Sequence, residues 1–232
     1  MSEIPRYWIG SGYHWEISRG PDKFFQTWIE NISKLKPMPS KVMILADSGA
    51  RPPVAGCWIP CDMPVEIIHC KGNLGNCHML LHGIKQHEFS GWTGAVCATA
   101  WAAYNDEADF VFFEQDVLAF GDVIQQMYKE IGNAGIIFGK CDWMPCEQSL
   151  FLVRHAYIPT FVRLFSGEGP QNCEENLGEH IFLRLAKRHP DKWFQFDIQY
   201  GRNRPIDFDA KTYYAQKWTD DELNELRKRG MI

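Results

Sequence analysis

Short apolar runs alternate along the chain with segments whose apolar residues recur every three or four positions. The short runs predict buried strands, and the wider spacing predicts amphipathic helices. The predicted strands cover residues 7–9, 42–46, 65–69, 110–113, 136–138 and 150–153. The predicted helices lie around residues 24–35, 77–84, 96–103, 123–131, 157–165 and 173–188, and a last helix opens with the capping box Thr219-Asp220-Asp221-Glu222. This alternation predicts an α/β fold with a mostly parallel central sheet and helices on both faces.

Polar residues follow four of the predicted strands. Gly10-Ser11-Gly12-Tyr13 reads as the loop after the first strand, and Asp47-Ser48 follows the second. Asn73 and Gly75 follow the third strand, and Glu114-Gln115-Asp116 follows the fourth. Ligands of parallel sheets bind beyond the carboxyl ends of the strands. We therefore expect these residues to form a ligand site at one edge of the sheet.

The acidic triplet suggests a particular ligand. Glu114 and Asp116 are separated by one residue, so an extended chain would point both carboxylates to the same side. Two carboxylates held that close repel each other unless a cation lies near them. Mg²⁺ and Mn²⁺ suit such oxygens and also bridge phosphate oxygens, so they would stabilise a departing nucleoside diphosphate. A solvated turn at the strand end is the alternative for an isolated acidic triplet.

Length and charge narrow the possible classes. The 232 residues suffice for one domain with a sizeable core. A net charge of −5 argues against a broad nucleic-acid-binding surface. The polar N-terminus and the lack of a stretch of roughly 20 apolar residues predict a cytoplasmic protein without a membrane span. The eight cysteines do not show the paired spacing of zinc sites, so we expect reduced thiols.

Three segments carry a resemblance to a known family. The stretch from Ala102 to Asp116 resembles the part of GT-A-type glycosyltransferases in which a helix leads into a strand that ends in Asp-any-Asp, with Glu114 replacing the first Asp. Asp47-Ser48 is similar to the acidic turn with which family members hold the nucleoside. Gly72-Asn73-Leu74-Gly75-Asn76 resembles their Asn-any-Gly donor loop. The likeness covers roughly residues 6–200 in element order.

The resemblance implies a small, single-domain, nucleotide-sugar-dependent enzyme of a kind found in viruses and bacteria. It would move a hexosyl or deoxyhexosyl group from a nucleoside-diphosphate sugar to a hydroxyl of a glycan, glycoprotein or small-molecule acceptor. Asp116 would be the main ligand of Mn²⁺ or Mg²⁺, and Glu114 a supporting one. Residues from about 1 to 120 would form the donor-binding half, and those from about 121 to 232 the acceptor-binding half with a C-terminal lid. The expected donor contacts are Gly10, Ser11, Gly12, Tyr13, Asp47, Ser48, Asn73, Gly75, Gln115 and Asp116.

Inverting members of this family use a carboxylate of the second half as a general base, which takes the proton of the acceptor hydroxyl as that hydroxyl attacks the anomeric carbon. The corresponding region here runs from Gly167 to His180. By its match to the paired acids of the family, Glu175 is the expected base, with Glu174 and Glu179 next in order. Glu175 also completes a capping box with Asn172, so a purely structural role stays open.

Two other functions remain possible at this stage. A sugar-nucleotide nucleotidyltransferase can use the same sheet and metal, but it should carry a basic residue in a glycine-rich loop directly after the first strand. The segment from Gly10 to His14 contains no arginine or lysine. A non-catalytic carbohydrate-binding protein on the same fold would fit the Glu at position 114. It would also fit the lack of any histidine after His189, because the family often takes a third metal ligand from a histidine there.

Overall fold

A computed structural model describes residues 4–13, 23–46, 62–70, 91–140, 146–168, 178–196 and 205–232 of the chain. Its helices are α1 (Lys23–Ser33), α2 (Gly91–Asn105), α3 (Val123–Ile131), α4 (Ile158–Ser166), α5 (Gly178–Arg188) and α6 (Asp220–Lys228). A short 3₁₀ helix, His155–Tyr157, precedes α4. Within these described ranges, no helix is long and apolar enough to cross a membrane.

Seven strands form the central sheet, and two more form a small separate sheet. The strands are β1 (Tyr7–Tyr13), β2 (Lys41–Ala46), β3 (Val65–His69), β4 (Asp109–Phe113), β5 (Leu118–Gly121), β6 (Ile136–Gly139), β7 (Glu147–Val153), β8 (Trp193–Gln195) and β9 (Thr212–Ala215). The central order is β3-β2-β1-β4-β7-β6-β8, and β7 runs antiparallel to both its neighbours. The other pairs of this sheet are parallel, which confirms the predicted α/β fold with a mostly parallel sheet.

Helices cover both faces of the sheet because the strand residues are apolar on both sides. Val111 and Phe113 of β4 belong to the core beneath α1, α3, α6 and the small sheet. Phe110 and Phe112 belong to the second core, beneath α2, α4 and α5. β4 is buried along its whole length, as its short continuous apolar run predicted. The predicted capping box of α6 is also present, with Thr219 as the N-cap and Glu222 bonded back to it.

The first strand is longer than predicted. Gly10, Ser11, Gly12 and Tyr13 do not form a loop; they continue β1 and pair with residues Met43 to Ala46 of β2. The glycines are there because α2 lies close against the strand. A Cβ at Gly10 would sit 2.2 Å from Thr99 Oγ1 and 2.4 Å from Phe110 Cε2. The expectation of a glycine-rich loop at this place is therefore wrong: small residues here make room for a helix.

Candidate functional site

The acidic triplet lies where the strand order of the sheet reverses. From β1 the chain proceeds to β2 and β3 on one side of β1, and then returns to place β4 on the other side. The carboxyl ends of β1 and β4 therefore flank the point at which their connections diverge, and open α/β sheets bind ligands at such a switch point. Glu114 follows the last residue of β4 directly. The topology thus puts the triplet at the edge where a ligand site is expected.

The triplet forms a turn. The backbone N–H of Val117 donates to the carbonyl of Glu114 at 3.1 Å, which closes a four-residue turn from Glu114 to Val117. Our premise that an extended chain aligns the two carboxylates is therefore wrong. The turn forms because β5 starts at Leu118, on a different sheet from β4, so the chain must change direction within the four residues that separate the strands.

Glu114 is held by three other parts of the chain. Its N–H donates to the carbonyl of Ser149 at 2.9 Å, and its carbonyl accepts from Trp28 Nε1 at 2.9 Å. Its carboxylate accepts a hydrogen bond from Gln216 Nε2. Both backbone groups and the carboxylate thus have fixed partners, which makes the position of the turn well defined.

Gln216 reaches the turn because the two strands of the small sheet begin and end beside it. β5 leads away from the turn and β9 returns to it, with Leu118 opposite Ala215. Gln216 is the next residue and is almost fully buried. Sequence reasoning missed this residue, since its only local signal is the short apolar run Tyr213-Tyr214-Ala215 that precedes it.

The start of β7 adds a second group of buried polar residues to the same edge. Because β7 is antiparallel to β4, its first residues lie beside the end of β4, with Leu150 opposite Phe113. These first residues are Glu147, Gln148 and Ser149, and each is buried. The carboxylate of Glu147 accepts from the N–H of Ser149 at 2.9 Å. Sequence reasoning predicted this strand only from Leu150 onward and so left the three polar residues out.

The remaining predicted residues divide into two groups. Asp47, Ser48, Asn73, Gly75, Glu174 and Glu175 lie outside the described residues. Glu179 is described and sits in the first turn of α5, where its carbonyl accepts a hydrogen bond from Cys146 Sγ at 3.3 Å. Cys146 directly precedes β7, so Glu179 starts its helix near the polar end of that strand. Of the first-strand residues, Gly10, Ser11 and Gly12 are taken up in the strand, and the buried Tyr13 packs against Phe25.

The turn has oxygen donors that fit a magnesium or manganese ion. Mg²⁺ is commonly held by one or two carboxylates while it keeps waters and phosphate oxygens as its other ligands. Glu114 and Asp116 supply two carboxylates within one turn. In the described part of the chain there is no group of three or more His, Cys, Asp or Glu residues that could hold a metal ion.

The opposite edge of the sheet has a different character. There the buried Asp109 accepts from Tyr128 Oη at 3.0 Å and from the N–H of His155 at 2.6 Å, and Arg154 lies 3.3 Å away. Burial, followed by the charge of Asp109, raises the pKa of the Tyr128 hydroxyl. These groups satisfy one another between β4, β7 and α3. They bind the layers together and leave the carboxyl edge as the candidate site.

No family model matches the sequence, and no curated protein matches it. Solved structures match the fold. A protein of Bacillus anthracis assigned as a glucose-1-phosphate thymidylyltransferase, in complex with a sucrose, aligns with a TM-score of 0.57 at 9% identity, over 97% of this chain and 95% of that one. HddC of Yersinia pseudotuberculosis aligns with a TM-score of 0.53 at 9% identity, over 98% of this chain and 100% of that one.

The apo form of the glycosyltransferase GlyE of Streptococcus pneumoniae TIGR4 aligns with a TM-score of 0.51 at 12% identity, over 84% of this chain. The alignment spans 46% of GlyE, about half its length. At these identities the likeness concerns the fold. The chain has the GT-A-like fold found in nucleotide-sugar glycosyltransferases and in a nucleotidyltransferase, as the sequence resemblance implied.

Proposed function

We propose, from this GT-A-like nucleotide-sugar transferase fold, that the protein transfers a sugar from a nucleoside-diphosphate sugar to a hydroxyl of a glycan, glycoprotein or small-molecule acceptor. The observation that carries the proposal is the acidic turn at the switch point of the sheet. It is fixed by Trp28, Ser149 and Gln216 from three separate elements. The carboxylate of Glu114 accepts a hydrogen bond from Gln216, a residue 102 positions away.

In this proposal Asp116 is the main cation ligand, and Glu114 supports it while accepting the hydrogen bond from Gln216. A bound Mg²⁺ or Mn²⁺ would neutralise the charge that develops on the departing nucleoside diphosphate. Gln115 lies between the two acids and would contact the donor with them. Asp47, Ser48, Asn73 and Gly75 remain proposed donor contacts through the sequence resemblance.

Glu175 is the proposed general base, with Glu174 and Glu179 as the next choices. The base takes the proton of the acceptor hydroxyl while the hydroxyl oxygen bonds to the anomeric carbon and the bond to the diphosphate oxygen breaks. Support comes from the region that carries these acids. Of the three acids Glu179 is described: it lies in the first turn of α5, and its carbonyl accepts from Cys146, which directly precedes β7. Ser149 of β7 in turn accepts the N–H of Glu114.

The test is a binding and turnover screen. Purified protein is titrated with UDP, GDP and their common sugar conjugates, with and without Mn²⁺, and released nucleoside diphosphate is then measured by chromatography. We expect binding of at least one nucleotide sugar to depend on the cation. Asp116→Ala should abolish cation-dependent binding, whereas Asp191→Ala, a change at an exposed acid before β8, should leave it intact. Full activity of Asp116→Ala would refute the site.

The base is tested separately. Glu175→Gln should keep donor binding and lose transfer to the acceptor, because the amide cannot take the proton. Glu174→Gln and Glu179→Gln serve as matched controls, and we expect each to retain most of the transfer rate. Unchanged transfer by Glu175→Gln would move the base to another residue.

A nucleotidyltransferase is the second candidate, and the length of the first strand bears on it. Because β1 extends to Tyr13, the segment that follows the first strand comprises residues 14–22, and it includes Arg19. Arg19 is a basic residue that follows the first strand, but residues 14–22 contain a single glycine and are not the glycine-rich loop expected of that class. Incubation with a nucleoside triphosphate and a sugar 1-phosphate distinguishes the two reactions. Release of pyrophosphate would identify a nucleotidyltransferase, and release of nucleoside diphosphate from a nucleotide sugar would identify a glycosyltransferase.

A further inference from the structure

Three polar side-chain atoms near the acidic turn are buried without a hydrogen-bond partner in the described part of the chain. They are Trp92 Nε1, Gln148 Oε1 and Ser149 Oγ. Gln148 is 9% exposed and Ser149 is 0% exposed, so neither side chain is open to bulk solvent. Buried polar groups in native proteins are almost always paired, and an exception calls for a ligand, a bound water or a catalytic role.

The residues that carry these atoms lie near one another in the fold. Ser149 and Gln148 are neighbours on β7, and the carbonyl of Ser149 accepts the N–H of Glu114. Trp92 opens α2 and packs edge-on against Phe112, two residues before Glu114, with ring centres 5.6 Å apart. A Cβ at Gly178 would lie 3.2 Å from the Trp92 ring and 3.5 Å from Gln148 Cγ. Thus α5 begins with a glycine, and that glycine lies between Trp92 and Gln148.

The chemistry of the group points to a hydroxyl-rich ligand. An indole N–H can only donate, an amide oxygen can only accept, and a serine hydroxyl can do both. A charged phosphate would leave the amide oxygen unpaired, and an apolar group would pair none of the three. Sugar hydroxyls donate and accept at neighbouring positions, so they can satisfy all of these atoms.

We propose that Gln148 and Trp92, with Ser149, form the subsite that recognises the hydroxyl groups of a bound sugar. Gln148 Oε1 accepts from one hydroxyl, and Trp92 Nε1 donates to another. This inference rests on the proposed function, because the nucleotide-sugar reaction supplies the ligand. The same chemistry belongs to the sugar of the donor and to the acceptor, and the experiment below separates them.

The experiment compares Gln148→Leu and Trp92→Phe with the unaltered protein. Leucine removes the acceptor and keeps most of the volume, and phenylalanine removes the N–H and keeps an aromatic ring. Gln125→Leu is the matched control, since Gln125 Oε1 is also buried without a partner among the described residues. Gln125 belongs to α3, which packs against the opposite face of the sheet.

Two properties are measured, the first being the melting temperature without ligand. Removing an unpaired buried oxygen should raise it in both Gln148→Leu and Gln125→Leu. The second is affinity, by calorimetry in Mn²⁺, for UDP, UDP-glucose, UDP-galactose and GDP-mannose. We expect Gln148→Leu and Trp92→Phe each to bind the preferred nucleotide sugar about 3- to 10-fold more weakly, the effect of one lost hydrogen bond. UDP alone should bind as before, and Gln125→Leu should bind every probe normally.

The acceptor is probed with a panel of methyl glycosides. If affinity for the nucleotide sugar is unchanged but the Michaelis constant for a methyl glycoside rises, the subsite holds the acceptor sugar. If both variants keep the affinity for the nucleotide sugar and the Michaelis constant for the methyl glycoside, the inference is wrong. If the unaltered protein binds no nucleotide sugar, the proposed function fails, and the glycosides alone decide the inference. A thermal shift with a glycoside that is lost in Gln148→Leu would support the subsite, and the absence of any such shift would refute it.

Discussion

Replacing Gly10 with alanine distinguishes a packing glycine from a ligand-binding one. Gly10 lies in β1, between β2 and β4, with α2 above it. The added Cβ would come within 2.2 Å of Thr99 Oγ1, where ordinary contacts begin at 3.4 Å. Relief of this overlap requires a shift of more than 1 Å between a central strand and a helix, because a new rotamer of Thr99 would leave its Cβ at 2.6 Å and Phe110 Cε2 at 2.4 Å from the added Cβ.

Overpacking of a well-filled core typically costs 1–3 kcal/mol, and a backbone at the centre of a sheet yields little, so we expect a loss of about 3 kcal/mol. For a chain of this size that lowers the melting temperature by about 6–12 °C. Urea unfolding followed by tryptophan fluorescence measures the loss directly. Gly12→Ala is the graded control, because its Cβ would lie 3.1 Å from the Cβ of Ala95 and needs only a small adjustment. We expect it to cost about 1 kcal/mol or less.

The result that would refute this reasoning is a Gly10→Ala protein as stable as the unaltered one. If such a protein also lost affinity for nucleotide sugars, Gly10 would contact the donor, as the sequence first suggested. A large loss of stability together with normal affinity per folded molecule would confirm that Gly10 makes room for α2.

Three further predictions concern other parts of the molecule. Gln216→Glu should weaken nucleotide-sugar binding more than Gln216→Ala does, because the new carboxylate sets a second negative charge against Glu114. Calorimetry measures the affinity of both variants, and an equal loss of affinity in the two would contradict this prediction. Burial raises the pKa of the Cys97 thiol to about 11, so at pH 8 only about one molecule in a thousand carries the reactive thiolate. Mass spectrometry after brief iodoacetamide treatment should therefore find Cys97 unmodified in the folded protein and modified once urea has unfolded it. Burial raises the pKa of the Tyr7 and Tyr128 hydroxyls. The stability that these buried neutral hydroxyls contribute is complete below the unfolded tyrosine pKa of about 10 and is lost as the pH rises above that value, because the unfolded chain then releases protons that the folded chain keeps. The melting temperature should therefore fall between pH 9 and 11, and Tyr128→Phe should reduce that fall.

The sequence predicted those parts of the fold that depend on local patterns. The five residues of β3 and the nine of α3 were predicted with the bounds that the structure has, because an apolar run or a helical period is complete within each segment. The prediction that β3 is buried was wrong: β3 is an edge strand, and its Ile68 is exposed. β4 was predicted to within one residue. The capping box at Thr219 is likewise a local signal, since both of its hydrogen bonds join residues three apart.

The parts that were missed depend on contacts between distant segments. The glycines of β1 have the composition of a loop, and only the approach of Thr99 shows why a strand needs them. β9 is four residues long and is stabilised by pairing with β5, about a hundred residues earlier. The acidic triplet follows β4 directly, as predicted, but Gln216 reaches it only through the pairing of β9 with β5. Gln148 lies at the start of β7, where the pairing with β6 is irregular between Phe138 and Gly139.

The hydrogen bond between Glu114 and Gln216 also has a consequence for synthesis of the chain. Gln216 is made 102 residues after Glu114, which at 5–20 residues per second is a delay of about 5 to 20 s. During that interval β1, β2 and β4 are already synthesised, and the acidic turn has neither β9 nor the amide of Gln216 beside it. The strands can therefore begin to pair on the nascent chain before the hydrogen bond to the Glu114 carboxylate can form, so the acidic turn is among the last parts of the fold to gain all of its partners.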